Sequence, residues 1–171
     1  MQRILKYLSP REHVDNVLLI NPQHLKKKGI RGIAIDLDNT LLPWKDDTFL
    51  PEVLAWVMEL KNNGFKICIV SNAKPQRVKD LSKILDVPAV WKAVKPSKGA
   101  FRKALSILEL EPSKVAMIGD QIFTDTLGGN RLGLYTILVN PLEKKEFVLT
   151  MQVRKVEKLV LRALRRRGCI K

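Results

Sequence analysis

The 171-residue chain is predicted to fold as an α/β protein, a Rossmann-type parallel sheet flanked by helices. Three observations lead there. Short apolar, β-branched runs recur at 30–36, 66–71, 89–91, 115–119 and 135–139, the continuous pattern of strands buried on both faces. Segments of helical periodicity lie between them, which implies right-handed crossovers and parallel pairing. The polar clusters Asp36/Asp38, Ser71/Asn72, Lys95 and Asp120/Asp125 fall just beyond the runs or before a helix, the rim where open parallel sheets bind ligands.

Each element has a local reason. The run 30–36 is apolar until Asp36 and is followed by a helix over 51–62, opened by Pro51 and closed before Gly64, the expected asymmetry of helix ends. Ile67-Cys68-Ile69-Val70 makes the next strand and places Cys68 in the core; with Cys169 it forms neither a disulfide framework nor a metal cluster. Helices over 75–85 and 97–108 flank a weak strand at 89–91. The run 115–119, a helix over 125–132 ending at Gly133, and the run 135–139 complete the unit. Residues 1–145 are read as one domain with an N-terminal extension over 1–29, where Ser9-Pro10-Arg11-Glu12 marks a helix start and Lys26-Lys27-Lys28 a solvated turn.

Composition excludes several classes. Hydrophobic residues make up 46% with mean hydropathy −0.07, as in soluble globular domains. No apolar run approaches the roughly 18 residues of a membrane span, and the N-terminus lacks a signal-peptide core. The default location is therefore the cytoplasm. The net charge is +14, of which residues 144–171 contribute +8, so anionic partners are favoured. Over 146–171 a basic amphipathic helix is expected, with Leu149, Val153, Val156, Val160 and Leu164 on one face and Arg154, Lys158, Arg162, Arg165 and Arg166 on another. It can dock on the domain with a solvated basic side or lie at an anionic membrane surface, making the protein peripheral there. Arg165-Arg166-Arg167 could equally track nucleic-acid phosphates.

The rim residues define a chemistry. Side chains at i and i+2 of an extended chain share a face, so Asp36 and Asp38 converge where a buried strand reaches solvent. Oxygen-only ligands suit a hard cation such as Mg²⁺, with Asp36 and Asp120 as carboxylate ligands. A phosphate drawn to that cation needs fixed positive groups opposite it, which Lys95, the Ser71 hydroxyl and the amides around Asn72 can supply. Asp36 would attack phosphorus and Asp38 would act as acid, then base. Asp125 could instead cap the following helix, and Thr40 and Asn72 could be turn residues. Trp44 and Trp91 are read first as packing residues, with Trp44 also a candidate for the substrate entrance. His13 and His24 show no partner pattern.

Asp36-Leu37-Asp38-Asn39-Thr40, Ser71-Asn72, Lys95-Pro96 and Gly119-Asp120-Gln121-Ile122-Phe123-Thr124-Asp125 resemble, in order, the four motifs of the haloacid dehalogenase superfamily of phosphatases. The likeness spans roughly residues 30–140. It implies a phosphomonoester hydrolase in which Asp36 is the nucleophile and Asp38 the acid/base that also ligates Mg²⁺ through its backbone carbonyl. Asp120 is then the third ligand, Asp125 a carboxylate supporting the metal, Ser71 and Lys95 the grip on the phosphoryl group, and Thr40 and Asn72 substrate-binding residues. The short intervals between motifs leave no room for a large cap domain.

Leu41-Leu42-Pro43-Trp44, Lys95-Pro96-Ser97-Lys98 and Gly128-Gly129-Asn130-Arg131 are similar to the YqeG branch of subfamily IIIA, itself similar to phosphatidylglycerophosphate phosphatases. The resemblance implies a lipid head-group phosphate as substrate. Two other readings accommodate the charge: a phosphatase for nucleic-acid ends or small metabolites, and a non-enzymatic RNA- or ribosome-binding module on the same fold.

Overall fold

A computed structural model describes residues 2–143 and 148–168, with side chains described over 5–143 and 153–168. Phe147 and Cys169, and the side chain of Leu149, lie outside the described residues. Six parallel strands form one sheet: β1 (Glu12–Val14), β2 (Gly32–Ile35), β3 (Lys66–Val70), β4 (Ala89–Val90), β5 (Val115–Gly119) and β6 (Tyr135–Val139). Their order is β1-β6-β5-β2-β3-β4. Ile35 of β2 lies opposite both Ile69 and Ile118, so the residues that follow β2, β3 and β5 emerge on one rim.

The helices are α1 (Gln2–Leu8), α2 (Pro22–Lys27), α3 (Pro51–Asn62), α4 (Pro75–Leu85), α5 (Lys98–Leu108), α6 (Leu127–Asn130) and α7 (Val148–Arg166). Alternation along the strands divides the core. Ile33, Ile35, Ile67, Ile69 and Ile118 face α3 and α4, which bury Trp56, Leu60, Val78 and Leu81 against them. Ala34, Cys68, Val70 and Met117 face the opposite way, towards Phe101 and Leu108 of α5. Both faces are thus covered, the physical reason the strands read as unbroken apolar runs. The buried indole N–H of Trp56 donates to the Ile20 carbonyl at 3.1 Å, joining α3 to the N-terminal segment. The connections between strands carry no inserted cap domain among the described residues. None of the described helices is long and apolar enough to cross a membrane.

Four local expectations are corrected. Ser9-Pro10-Arg11-Glu12 does not start a helix; it leads into β1, because the Arg11 N–H donates to the Thr136 carbonyl at 2.8 Å and opens the pairing with β6. Of Lys26-Lys27-Lys28 only Lys28 enters a turn; Lys26 and Lys27 end α2. The helix expected over 125–132 is a π-helical turn, Ile122–Thr126, followed by the single turn of α6. The C-terminal helix is present, but its buried face is rotated. Leu164 is fully buried and Val160 and Leu161 pack near Leu8, Ile122 and Leu138, whereas Val156 is exposed and Arg154 turns inward.

Close packing on the α5 side gives a test. A Cβ at Gly128 would stand 2.2 Å from the ring of fully buried Phe101. Gly128→Ala is expected to destabilise the fold by about 1–3 kcal/mol, the usual cost of overpacking. Denaturant unfolding that gave wild-type stability would show that this contact is slack.

Candidate active site

The sheet order reverses between β2 and β5. From β2 the chain proceeds outward to β3 and β4, and from β5 it proceeds the other way to β6, which opens a crevice at the carboxyl ends of those two central strands. Asp36 and Asp120 follow β2 and β5 on either side of that point. The Asp36 N–H donates to the Ile118 carbonyl at 3.0 Å, holding the end of the strand in register. Buried Leu37, Leu41 and Leu42 then pin the loop from beneath, and Asn39 makes its turn in the left-handed region at φ 60°, a conformation asparagine tolerates. The Asn39 side-chain carbonyl accepts the Glu143 N–H at 3.2 Å. The first motif is thereby tied to the segment after β6.

The centre is a buried charge cluster. Lys95 Nζ stands 2.7 Å from Asp36 Oδ1 and 2.7 Å from Asp125 Oδ1. Asp36, Asp120 and Asp125 each offer a carboxylate oxygen, all within 4.8 Å of one another. Burial, opposed by Lys95 and reinforced by Asp125, pushes the Asp36 carboxyl up to about 7. Asp120 is also raised, by burial first and by Asp36 and Asp125 against the opposing Arg154. For Lys95 burial alone would favour the neutral amine, but Asp125 and Asp36 together hold it protonated well above its ordinary range. Glycine is required beneath this cluster: a Cβ at Gly119 would fall 2.3 Å from Asp125 Cγ.

The remaining expected residues gather around it. Ser71 is buried and lines the cleft, and its hydroxyl accepts the Ala73 N–H at 3.1 Å. Asn72 Oδ1 accepts the Lys95 N–H at 2.9 Å, so it positions the lysine besides facing the cleft. The Thr40 hydroxyl donates towards Asp120 Oδ1 at 3.5 Å. Asp125 accepts the Gln121 N–H on Oδ2 at 3.1 Å, which orders the π-helical turn as well as meeting Lys95. Asp38 lines the cleft beside Asp36.

Three participants went unmarked in the sequence. Arg77 Nη1 lies 2.9 Å from Asp38 Oδ1 while its Nε lies 2.7 Å from Asp47 Oδ1; its place in the first turn of α4, just after Ser71 and Asn72, is the signal that could have found it. Arg154, expected on the solvated face of the tail, instead pairs with Asp120 Oδ2 and the Asp120 main-chain carbonyl. Glu157, buried, accepts the N–H groups of Ile122 and Phe123 at 2.6 and 3.1 Å. Nothing local distinguishes those two from solvent-facing helix residues.

The cleft has a volume of about 700 Å³, and Trp44, Lys45, Lys74 and Arg77 are among the residues that line it. Lys45 Nζ lies 4.3 Å over the Trp44 ring. Trp91, expected as a packing residue, is 37% exposed and carries Lys79 and Lys103 over its ring. His24 meets Glu12 at 2.7 Å and His13 meets Asn140 at 2.9 Å, and neither histidine is among the residues that line the cleft.

The donor set fits a divalent cation. Three buried carboxylates offer oxygens within 4.8 Å of one another, and Asp36 and Asp120 are each raised by burial and by neighbouring carboxylates; an all-oxygen set of this kind suits a hard ion. Comparison with known proteins agrees with the geometry. A family model described as a haloacid dehalogenase-like hydrolase matches residues 44–133. "Probable phosphatase YqeG" of Bacillus subtilis is 42% identical over 96% of both chains. "Phosphatidylglycerophosphate phosphatase 1, chloroplastic/mitochondrial" of Arabidopsis thaliana is 27% identical over 95% of this chain, which spans 50% of that protein. A HAD phosphatase from Thermococcus onnurineus shares the fold, with TM-score 0.51 and 18% identity over 66% of this chain and 58% of that one. With its sheet, its rim of buried carboxylates and these relatives, the chain belongs to the haloacid dehalogenase-like hydrolases and is one of their phosphatases.

Proposed function

We propose that this phosphatase is a Mg²⁺-dependent phosphomonoester hydrolase working through an aspartyl-phosphate on Asp36, with the phosphate of a lipid head group, phosphatidylglycerophosphate, as its substrate. The observation that carries the mechanism is the convergence of Asp36, Asp120 and Asp125 within 4.8 Å of one another, with Lys95 ion-paired to Asp36 and Asp125. Asp36 and Asp120 would hold the cation, with Asp38 contributing its backbone carbonyl and Asp125 supporting the site. When bound, the ion neutralises phosphoryl oxygens and keeps the Asp36 carboxylate ionised.

In the first step an Asp36 carboxylate oxygen bonds to phosphorus as the bond to the alkoxide leaving group breaks. Asp38 gives that alkoxide its proton. It then takes one from water, whose oxygen attacks the phosphorus and releases inorganic phosphate and Asp36. Lys95 and the Ser71 hydroxyl hold the phosphoryl oxygens, Asn72 keeps the Lys95 backbone in place, and Thr40 steadies Asp120. Arg77 fixes the Asp38 carboxylate at the cleft wall.

Support for the lipid substrate comes from the cleft lining. Lys74 and the stacked Lys45–Trp44 pair, both part of that lining, suit a molecule that carries a second anion and an apolar body beyond the scissile phosphate, and one relative is named for such a lipid. The outer side of α7 presents Lys155, Lys158, Arg162 and Arg166 beside exposed Val156 and Leu159, a surface matched to anionic head groups. The protein would then work in the cytoplasm at the membrane face.

Asp36→Asn is expected to reduce turnover of p-nitrophenyl phosphate by at least about a thousandfold, the scale seen when a nucleophile is removed, while leaving the fold intact; wild-type turnover would eliminate the covalent route. Protons compete with the cation at Asp36. Mg²⁺ affinity measured by calorimetry should therefore rise as pH climbs towards about 7 and level off above it. The same carboxyl affects stability with the opposite sign. Its folded-state value exceeds the ordinary 3.8, so the metal-free protein binds the proton more tightly than the unfolded chain, and this contribution is lost as pH rises through about 7. A panel of phosphatidylglycerophosphate in micelles, nucleotides, sugar phosphates and 3′-phosphorylated DNA should show the highest kcat/KM for the lipid. Equal turnover of the soluble esters would sink the substrate assignment.

A further inference from the structure

We infer that Arg154, delivered by the C-terminal helix, is a positioning residue of the cation site: it holds Asp120 in the orientation that presents its second carboxylate oxygen to the site. This inference rests on the proposed cation-dependent mechanism and assigns the basic helix a role inside the active centre.

The geometry is that of a clamp. The guanidinium takes Asp120 twice, through Oδ2 and through the main-chain carbonyl of the same residue. Two contacts from one rigid planar group fix both the backbone and the side-chain rotation of their target. Oδ2 is thereby committed to Arg154, and Oδ1 is the oxygen towards which the Thr40 hydroxyl points at 3.5 Å. A carboxylate gripped at one oxygen by a guanidinium, and met at the other only by a 3.5 Å hydroxyl contact, keeps that second oxygen available and is oriented before an ion arrives, and such outer partners typically carry 10- to 100-fold in metal affinity or activity.

The clamp is itself held. Arg154 Nη1 lies 3.1 Å from Glu157 Oε2, while Glu157 Oε1 accepts the N–H groups of Ile122 and Phe123. Those amides open the turn that carries Asp125. One turn of α7 therefore touches Asp120 directly and, through the Ile122 and Phe123 amides, the start of the turn on which Asp125 sits. Leu164, fully buried two turns further on, and half-buried Val160 and Leu161 seat the helix.

A competing role is conceivable for any cation beside a metal ligand, namely that it occupies the ion's place. The main-chain contact argues for support. A group bonded to the Asp120 carbonyl lies along the strand end, whereas the position between Asp36 and Asp125 is taken by Lys95, ion-paired to both.

The test measures Mn²⁺ affinity of the full-length protein by calorimetry at fixed pH and salt, for wild type, Arg154→Met, Arg154→Lys, Glu157→Gln and Asp120→Asn, each first checked for cooperative unfolding. Arg154→Met is expected to weaken Mn²⁺ 10- to 100-fold, Arg154→Lys and Glu157→Gln less. At saturating Mn²⁺ the KM of Arg154→Met for p-nitrophenyl phosphate should stay at the wild-type value, which a general loosening of the fold would not preserve. Mn²⁺ affinity within twofold of wild type in Arg154→Met, or tighter, overturns the inference while leaving the mechanism standing. If Arg154→Met does not fold, unchanged affinity in Arg154→Lys and Glu157→Gln overturns it. Wild type and Asp120→Asn both failing to bind Mn²⁺ would refute the cation mechanism itself, and the inference with it.

Discussion

Compensation of buried negative charge governs this structure. Three carboxylates, on Asp36, Asp120 and Asp125, share a space in which their oxygens approach within 4.8 Å, and burial denies them water. Each needs a partner from elsewhere in the chain. Lys95 reaches two of them from the loop before α5, and Arg154 reaches the third from α7. Because removing one member of a buried ion pair typically costs about 3–5 kcal/mol, these contacts also fasten the segments that supply them. The same arithmetic leaves the site short of positive charge, so it favours a divalent cation and, behind it, a phosphate.

Parallel topology makes that cluster possible. The reversal of strand order at β2 and β5 separates the loops on either side of the crevice, and the register places their first residues at one level. Small residues then allow the approach. Gly119 permits Asp125 to fold back over the end of β5, and Asn39 in the left-handed region lets the first loop turn without leaving the rim. No cap domain stands over the cleft among the described residues, and Trp44, Lys45, Lys74 and Arg77 are part of its lining.

Much of this was legible before any coordinates. Five of the six strands follow from apolar runs, since a strand buried on both faces must be apolar throughout. β1 was missed because Glu-His-Val has no such pattern; it is a strand only because β6 offers it partners. The residues expected at the rim are brought together there, since a polar group that ends a buried run has nowhere to go but the sheet edge. Arg77, Arg154 and Glu157 escaped notice for a related reason. Each sits on an amphipathic helix at a position where an exposed charge is the ordinary outcome, and only its distant partner makes it otherwise.

Sequence by itself determined the alternation of strands and helices and the acidic character of the rim, because both are written in local periodicity and in residues that interrupt it. The tertiary structure alone decided which cations answer those acids and which side of the C-terminal helix faces inward. The Arg77–Asp38 and Arg154–Asp120 pairs join residues 39 and 34 positions apart, and an ion pair imposes no periodicity on the chain between its partners. Leu164 is buried while Val156 of the expected apolar stripe is exposed, and with α7 so rotated Arg154 meets Asp120.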